Sequence, residues 1–403
     1  MPETGKKRPL QGIRVIELGQ LLAGPFTGSI LSYFGAEVIK VESPNRGDPL
    51  RSWRMLDEDG TSFWWRSISR NKKCITIDLK SERGRELIRE LASRADIILE
   101  NFKPGTMEKW GLAPSSLWET NPGLIYARIS GYGQTGPYST RAGFASACEG
   151  FGGFRYLNGF PGEAPVRPNL SLGDTLTAVH AALGILLAYI ERENDQHGRG
   201  QIVDVAIYEA VFNMLEAVVP EYVGTGAIRE PSGTTITGIA PTNTYVCRDE
   251  KYVVIGGNGD SIFKRLMATA GRDDLGQDPR LADNAGRVEH QAEVDEAISA
   301  WTSSLDSTEV LTELERASVP GGPIYNVADM LTDEHYNARG MFQEVEINGK
   351  PFKLPAMVPI LSETPGGTDW PGPPLASHND EIYGDLLGME KTEIDALKEA
   401  GVI

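Results

Sequence analysis

The sequence predicts an α/β fold built on a parallel, doubly wound sheet. Short apolar runs of strand length alternate with helical segments through roughly the first third of the chain, which is the pattern of βαβ units. Glycine-rich loops follow several of those runs, where ligands gather outside the strand C-termini of such sheets. The length, 403 residues, leaves room for two or three domains or one large domain with an insertion.

The elements follow in order. Ile13-Arg14-Val15-Ile16-Glu17-Leu18 reads as a buried strand, and Gly19 to Pro25 as the turn into a helix over residues 26–34, ended by Gly35. Glu37-Val38-Ile39-Lys40-Val41-Glu42 is a second strand. The loop between them lacks GxGxxG, so a dinucleotide site has no support there. Ile75-Thr76-Ile77-Asp78-Leu79 alternates as a strand, and residues 82–94 form an amphipathic helix with Leu87, Ile88 and Leu91 inward. Further strands are Asp96-Ile97-Ile98-Leu99-Glu100 and residues 124–129, closed by Asn101-Phe102-Lys103-Pro104-Gly105 and by Gly131-Tyr132-Gly133-Gln134-Thr135-Gly136-Pro137.

Beyond residue 143 glycine and proline are dense and periodicity is lost until residue 168. A strand at 202–206 precedes a helix at 208–219, and the polar, glycine-rich stretch 224–242 reads as a linker or mobile loop. Tyr252-Val253-Val254-Ile255 opens a smaller unit with helices near 261–270, 291–305 and 307–317. The tail carries a hairpin around Asn348-Gly349 and a last helix at 392–399.

Composition removes several classes of function. A net charge of −17 argues against a general nucleic-acid binder, which needs a phosphate-neutralising basic face. Cys74, Cys148 and Cys247 are odd in number and far apart, which gives neither a disulfide framework nor a CxxC pair and suits a reducing cytoplasm. No apolar segment backs the basic start, so no signal peptide is read, and the apolar run 178–190 is too short to span a bilayer. The five histidines show no ligand spacing, and no GxSxG elbow or Walker lysine motif is present.

What remains is a single carboxylate. Asp174 follows Gly173 and opens an uncharged run to Ile190 that is apolar nearly all round, the mark of a buried helix. Two readings are open: an N-terminal cap facing the positive helix end, or a nucleophile at the rim of a core. His180, six residues on, does not return to the same face as Asp174 and reads as a core or interface histidine. If Asp174 attacks a thioester, the oxyanion is held by backbone N–H groups of the glycine-rich loops. A second open question is the basic, aromatic segment 46–73, with Arg46, Arg51, Arg54, Arg66, Arg70, Lys72 and Lys73 among Trp53, Phe63, Trp64 and Trp65. It suits a ligand carrying phosphates and an adenine ring, and equally a set of solvated loop cations.

These motifs together resemble one family. Leu21-Leu22-Ala23-Gly24-Pro25, Phe34-Gly35-Ala36-Glu37-Val38-Ile39-Lys40-Val41-Glu42, Arg70-Asn71-Lys72-Lys73, Glu100-Asn101-Phe102-Lys103-Pro104-Gly105, the Gly131 to Pro137 loop and Gly173-Asp174 are similar, in order and over nearly the whole chain, to the class III CoA-transferases of the CaiB/BaiF group. The resemblance implies a Rossmann-like large domain built from both chain ends and a smaller α+β middle domain, in an interlocked homodimer. The corresponding boundaries are 1–224 for the CoA-binding part with the catalytic Asp, 225–330 for the small domain and 331–403 for the return. It implies that Asp174 is the nucleophile, and that CoA thioesters are substrates, with no permanently bound cofactor and no metal. CoA would be met by Leu22 and Ala23, by Ile77, Asp78, Leu79 and Lys80, by Asn101, Phe102 and Lys103, by Lys109, and by Gly131 and Tyr132.

Leu22 and Gln134 stand where formyl-CoA transferases carry glutamine and glutamate, which speaks against a formyl/oxalate specificity. The stretch from Gly159 to Pro168 resembles enzymes that use succinyl-CoA as donor and malate, citramalate, itaconate, mesaconate or benzylsuccinate as acceptor. Arg155 or Arg167 is then a candidate for the distal carboxylate, against the plainer reading of a loop arginine in water. An α-methylacyl-CoA racemase places a histidine after Arg-Ala-Gly, whereas here Phe144 follows Arg141-Ala142-Gly143. A non-catalytic CoA-binding subunit of a hetero-oligomer is the other alternative, and a nicotinamide-dependent dehydrogenase a third.

Overall fold

The structure, a computed structural model, describes residues 7–403. They form two compact units, one of residues up to 154 with 168–216 and 335–403, the other of residues 155–167 and 217–334.

The first unit carries a six-stranded sheet in the order β3-β2-β1-β4-β5-β6. Its strands are β1 (Arg14–Glu17), β2 (Glu37–Glu42), β3 (Lys72–Thr76), β4 (Ile97–Glu100), β5 (Ile125–Ser130) and β6 (Ile202–Ala206), and every pairing is parallel. Alternate residues go to opposite faces. Ile16, Ile39, Ile75 and Ile98 pack under the Glu82–Ala92 and Lys391–Glu399 helices, while Val15, Val38, Ile97 and Ala127 pack under the Ala23–Tyr33 and Leu172–Asn194 helices. Both faces are covered, as a parallel sheet requires.

Strand β3 begins earlier than alternation predicts, because its first two residues are lysines. The Lys72 ammonium is fully buried 2.8 Å from a Glu17 carboxylate oxygen, so a charged residue takes an interior position. Beyond Thr76 the chain turns to the C-terminal segment: Asp78 N–H donates to Val402 C=O at 2.7 Å, and the Tyr383 hydroxyl donates to Thr76 C=O at 2.7 Å. The C-terminal segment thereby covers the edge of β3. Within it, β10 (Phe342–Ile347) and β11 (Lys350–Pro355) form an antiparallel hairpin whose turn residues Asn348 and Gly349 both have positive φ.

The second unit holds an antiparallel sheet of β7 (Thr242–Val246), β8 (Tyr252–Gly256) and β9 (Gly321–Pro323). Val253, Ile255, Phe263, Leu266, Val294, Ile298, Val310 and Leu314 make its core. The helix predicted over 208–219 is two helices, Ile207–Phe212 and Val218–Thr225.

The Leu172–Asn194 helix departs from expectation. Ala178, Ala181, Ala182, Ile185 and Ala188 are buried, but Val179, Leu183, Leu187 and Ile190 are each more than half exposed. Small residues let this helix lie close on the sheet, and the larger apolar ones form a stripe on the opposite face. At 23 residues it is also longer than its apolar run, and it is the one described helix long and apolar enough to cross a membrane by composition alone.

Candidate active site

The candidate site is a cavity of about 350 Å³ at the C-terminal ends of β1, β4 and β5, and it lies wholly in the first unit. Strands β1 and β4 are where the order of the sheet reverses, the point at which open α/β sheets leave a crevice.

Each wall is fixed by specific bonds. After β1, Leu21 adopts φ 64°, and its N–H lies 3.2 Å from both Asp48 carboxylate oxygens. Asp48 is buried with Lys40 at 2.8 Å, and Lys40 also reaches Glu17 at 3.3 Å and donates to Gly19 C=O. Burial works against the Lys40 charge, but Asp48, Glu17 and Glu42 outweigh it and raise its pKa, whereas Lys72, sharing Glu17, is lowered by burial. A buried ion network thus underlies the Leu21-Leu22-Ala23 wall.

After β4, the Asn101 side chain accepts from Gln20 N–H at 2.7 Å and donates to Gln20 C=O at 2.8 Å, tying this loop to the first. Glu100 accepts from Phe102 N–H and from Arg128 Nε, both at 2.8 Å, while burial pushes its carboxyl up to about 7. After β5, Gly131 packs on Gly143 so closely that a Cβ on either would lie 2.5 Å from the other's Cα.

Asp174 completes the wall. It is the third residue of the Leu172–Asn194 helix, in its first turn, behind Ser171 at the N-cap position. The cap role goes elsewhere, since the Gly173 N–H donates to Glu149 of the Ala145–Phe151 helix at 3.0 Å. Glycine favours that approach, as a Cβ on Gly173 would crowd Glu149 Cγ at 3.0 Å and Ile207 Cγ2 at 3.2 Å. Asp174 therefore sits in the positive field of the helix start without being its N-cap. The nearby Cys148 thiol is pushed up to about 11 by burial, with Asp174 and Glu149 adding to the rise, so at neutral pH it is protonated and a poor nucleophile.

Of the predicted contacts, the cavity brings together Leu22, Ala23, Asn101, Phe102, Lys103, Gly131 and Asp174. Tyr132 stands behind it in an aromatic cluster with Tyr138, Phe151 and Tyr208. Ile77 is in the core and Leu79 packs against that core. Asp78 and Lys80 line a second cavity of about 380 Å³ with Arg46 and Asn45. Lys109 ends the short Thr106–Lys109 helix and lines neither cavity.

The basic segment divides. Arg51, Arg66, Arg70 and Lys72 hold Glu42, Asp59, Pro355 C=O and Glu17, so their role is structural. Trp53 and Trp64 do line the first cavity, with Arg54 stacked 3.8 Å over Trp64. The residues that sequence reasoning did not place at the site include Ser139, Arg141, Phe144, Ser171 and Ile207. Arg141 and Phe144 carry one further signal, the Arg-Ala-Gly stretch after which racemases place a histidine, whereas the others show only proximity to the Gly131 loop and to Asp174. Among the described residues no group of three His, Cys, Asp or Glu side chains is placed to hold a metal.

Comparison with known proteins assigns the family. The family model described as CoA-transferase family III matches residues 10–379. The succinyl-CoA–D-citramalate CoA-transferase of Chloroflexus aurantiacus is 46% identical over 397 residues, covering 98% of each chain. The alpha subunit of succinyl-CoA–L-malate CoA-transferase from the same organism is 42% identical, covering 100% of this chain and 94% of its own. A crystal structure of a CaiB/BaiF family protein from Brucella suis superposes with a TM-score of 0.83 at 34% identity, covering 94% of this chain and 100% of that one. The chain belongs to CoA-transferase family III.

Proposed function

We propose that the chain moves CoA from succinyl-CoA to a small dicarboxylic acid of the malate, citramalate, itaconate, mesaconate or benzylsuccinate type, through a mixed anhydride on Asp174. The observation that carries this is the placement of Asp174, in the first turn of its helix, in one cavity wall with the loops after β1, β4 and β5. An Asp174 oxygen attacks the thioester carbonyl carbon, and CoA leaves as thiolate. An incoming carboxylate then displaces the donor acid at the Asp174 carbonyl. The thiolate finally attacks the new acyl carbon, which forms the acceptor thioester and returns Asp174 as a carboxylate. Each carbonyl addition develops an oxyanion that backbone N–H groups of the glycine loops stabilise.

CoA lies along the same edge of the sheet in this reading. Leu22, Ala23, Asn101, Phe102, Lys103 and Gly131 meet the arm that carries the thioester, and Tyr132 backs Gly131 from outside the cavity lining. Lys80 and Arg46 at the second cavity support the phosphate-bearing end, with Asp78 beside them, and Ile77 and Leu79 fix that segment from the core. Lys109 reaches CoA only if its loop carries it there. The sequence-based bounds, 1–224 for the large CoA-binding domain, 225–330 for the small domain and 331–403 for the return, shift in one respect: residues 155–167 and 217–224 pack with the second unit, and the return to the first begins at residue 335. A partner chain covers the stripe of Val179, Leu183, Leu187 and Ile190, as an interlocked homodimer would. Three buried free thiols suit the cytoplasm.

One finding favours a second reading. Relatives at 42% and 39% identity are named as alpha and beta subunits of a single enzyme, so the covering chain could be a related subunit. The purified chain, given succinyl-CoA and each diacid, is expected to form the acceptor thioester alone and to run as a dimer. Activity only after adding a second, related chain would establish the subunit reading, and no transfer in either state would defeat both.

A further inference from the structure

A transferase for diacids must recognise the carboxylate that does not react. Inside a cavity that second charge needs a cation, since a desolvated, unpaired carboxylate is strongly disfavoured. Two cationic side chains line the Asp174 cavity, Lys103 and Arg141. Lys103 is exposed on the loop after β4, beside Asn101 and Phe102. Arg141 is exposed too, but it differs in how it is held. Its guanidinium carbon sits 3.4 Å from the centroid of the Tyr138 ring, and that ring is itself set edge-on against Tyr132 and Phe151. Stacking occupies the face of a guanidinium and leaves its N–H edge for a planar anion.

The contrast with other arginines is informative. Arg51, Arg66 and Arg128 each hold a carboxylate, and Arg70 is spent on Ser67 and Pro355. Among the described residues Arg141 has no carboxylate partner, although it lines the cavity that holds Asp174. Its backbone is anchored on both sides: the Arg141 N–H donates to Tyr138 C=O at 2.9 Å, and Gly143 is wedged against Gly131. Arg155 and Arg167, the candidates from sequence, belong to the second unit and do not line the cavity.

We propose that Arg141 is the residue that selects dicarboxylic acids, pairing with the distal carboxylate of donor and acceptor while the near carboxyl reacts at Asp174. This rests on the function proposed above. A bidentate pair is charge-assisted and planar, so a lysine replaces it only in part.

The test compares wild type, R141Q and R141K with succinyl-CoA and a diacid, and with butyryl-CoA and a monocarboxylic acid. R141Q is expected to raise KM for the diacid by about 30-fold, the scale of a lost charge-assisted bond, with a smaller change in kcat. The diacid-to-monoacid ratio of kcat/KM should collapse, and R141K should recover part of it. An R141Q enzyme that keeps the wild-type ratio within about twofold overturns the assignment. Hydroxylamine trapping from succinyl-CoA separates this from failure of the mechanism. Label on Asp174 in R141Q leaves the anhydride intact and tests selectivity alone, whereas no label on Asp174 in wild type removes the mechanism and this inference with it.

Discussion

Replacing Asp48 with asparagine tests how the cavity wall is held. The Asp48 side chain is fully buried, 2.8 Å from Lys40, and it accepts from Leu21 N–H at 3.2 Å and from Leu50 N–H at 2.9 Å. Two carboxylates, Glu17 and Asp48, balance two ammonium groups, Lys40 and Lys72, in this cluster. D48N leaves two buried cations sharing Glu17. Removing one member of a buried pair costs about 3–5 kcal/mol, which for a chain of 403 residues is a fall in Tm of roughly 4–6 °C. The loss also frees Leu21, so the Leu22-Ala23 wall shifts and KM for the CoA thioester rises more than kcat falls. Differential scanning calorimetry and steady-state kinetics read the two effects. A K40M/D48L double variant removes both charges and should lose less than the two single variants together. A D48N protein melting within about 2 °C of wild type with unchanged KM would show that the network supports neither the fold nor the wall.

Two further predictions concern the same sheet. Burial holds the Glu100 carboxyl at about 7 against an ordinary 4.5, so between those values the folded chain binds more protons than the unfolded chain. Stability from this group is therefore present at low pH and is lost as pH rises through 7. E100Q should flatten the decline in Tm between pH 5 and pH 8, and an E100Q profile parallel to wild type would contradict the shift. Gly28 and Gly150 both lie in helices, but a Cβ on Gly28 lands 1.9 Å from Glu17 Oε2 while one on Gly150 meets nothing within 4 Å. G28A should therefore destabilise by about 1–3 kcal/mol and G150A should stabilise by up to about 1 kcal/mol, a ranking that thermal melts would reverse if the Glu17 packing were wrong.

The parallel sheet was legible because alternating strand and helix runs admit little else, and the loops after β1, β4 and β5 converge for the same topological reason. Local patterning treats Lys72 as exposed and so starts β3 too late, and only the tertiary partner Glu17 makes it an interior residue. Hydropathy alone makes the helix after Asp174 look buried all round, because it does not separate the alanines facing the sheet from Val179, Leu183, Leu187 and Ile190 on the open side. Asp174 was legible by elimination and by resemblance, but its surroundings were not. Glu149 takes the Gly173 amide from another helix, and Arg141 reaches the cavity through a loop with no periodic signal.

The central claim is covalent chemistry at one carboxylate. The purified chain should be incubated with succinyl-CoA, quenched with hydroxylamine or borohydride, digested, and analysed by mass spectrometry. The account predicts modification at Asp174, dependent on the thioester, and no modification or transfer in D174A. Modification confined to another residue, or full transfer by D174A, would contradict it.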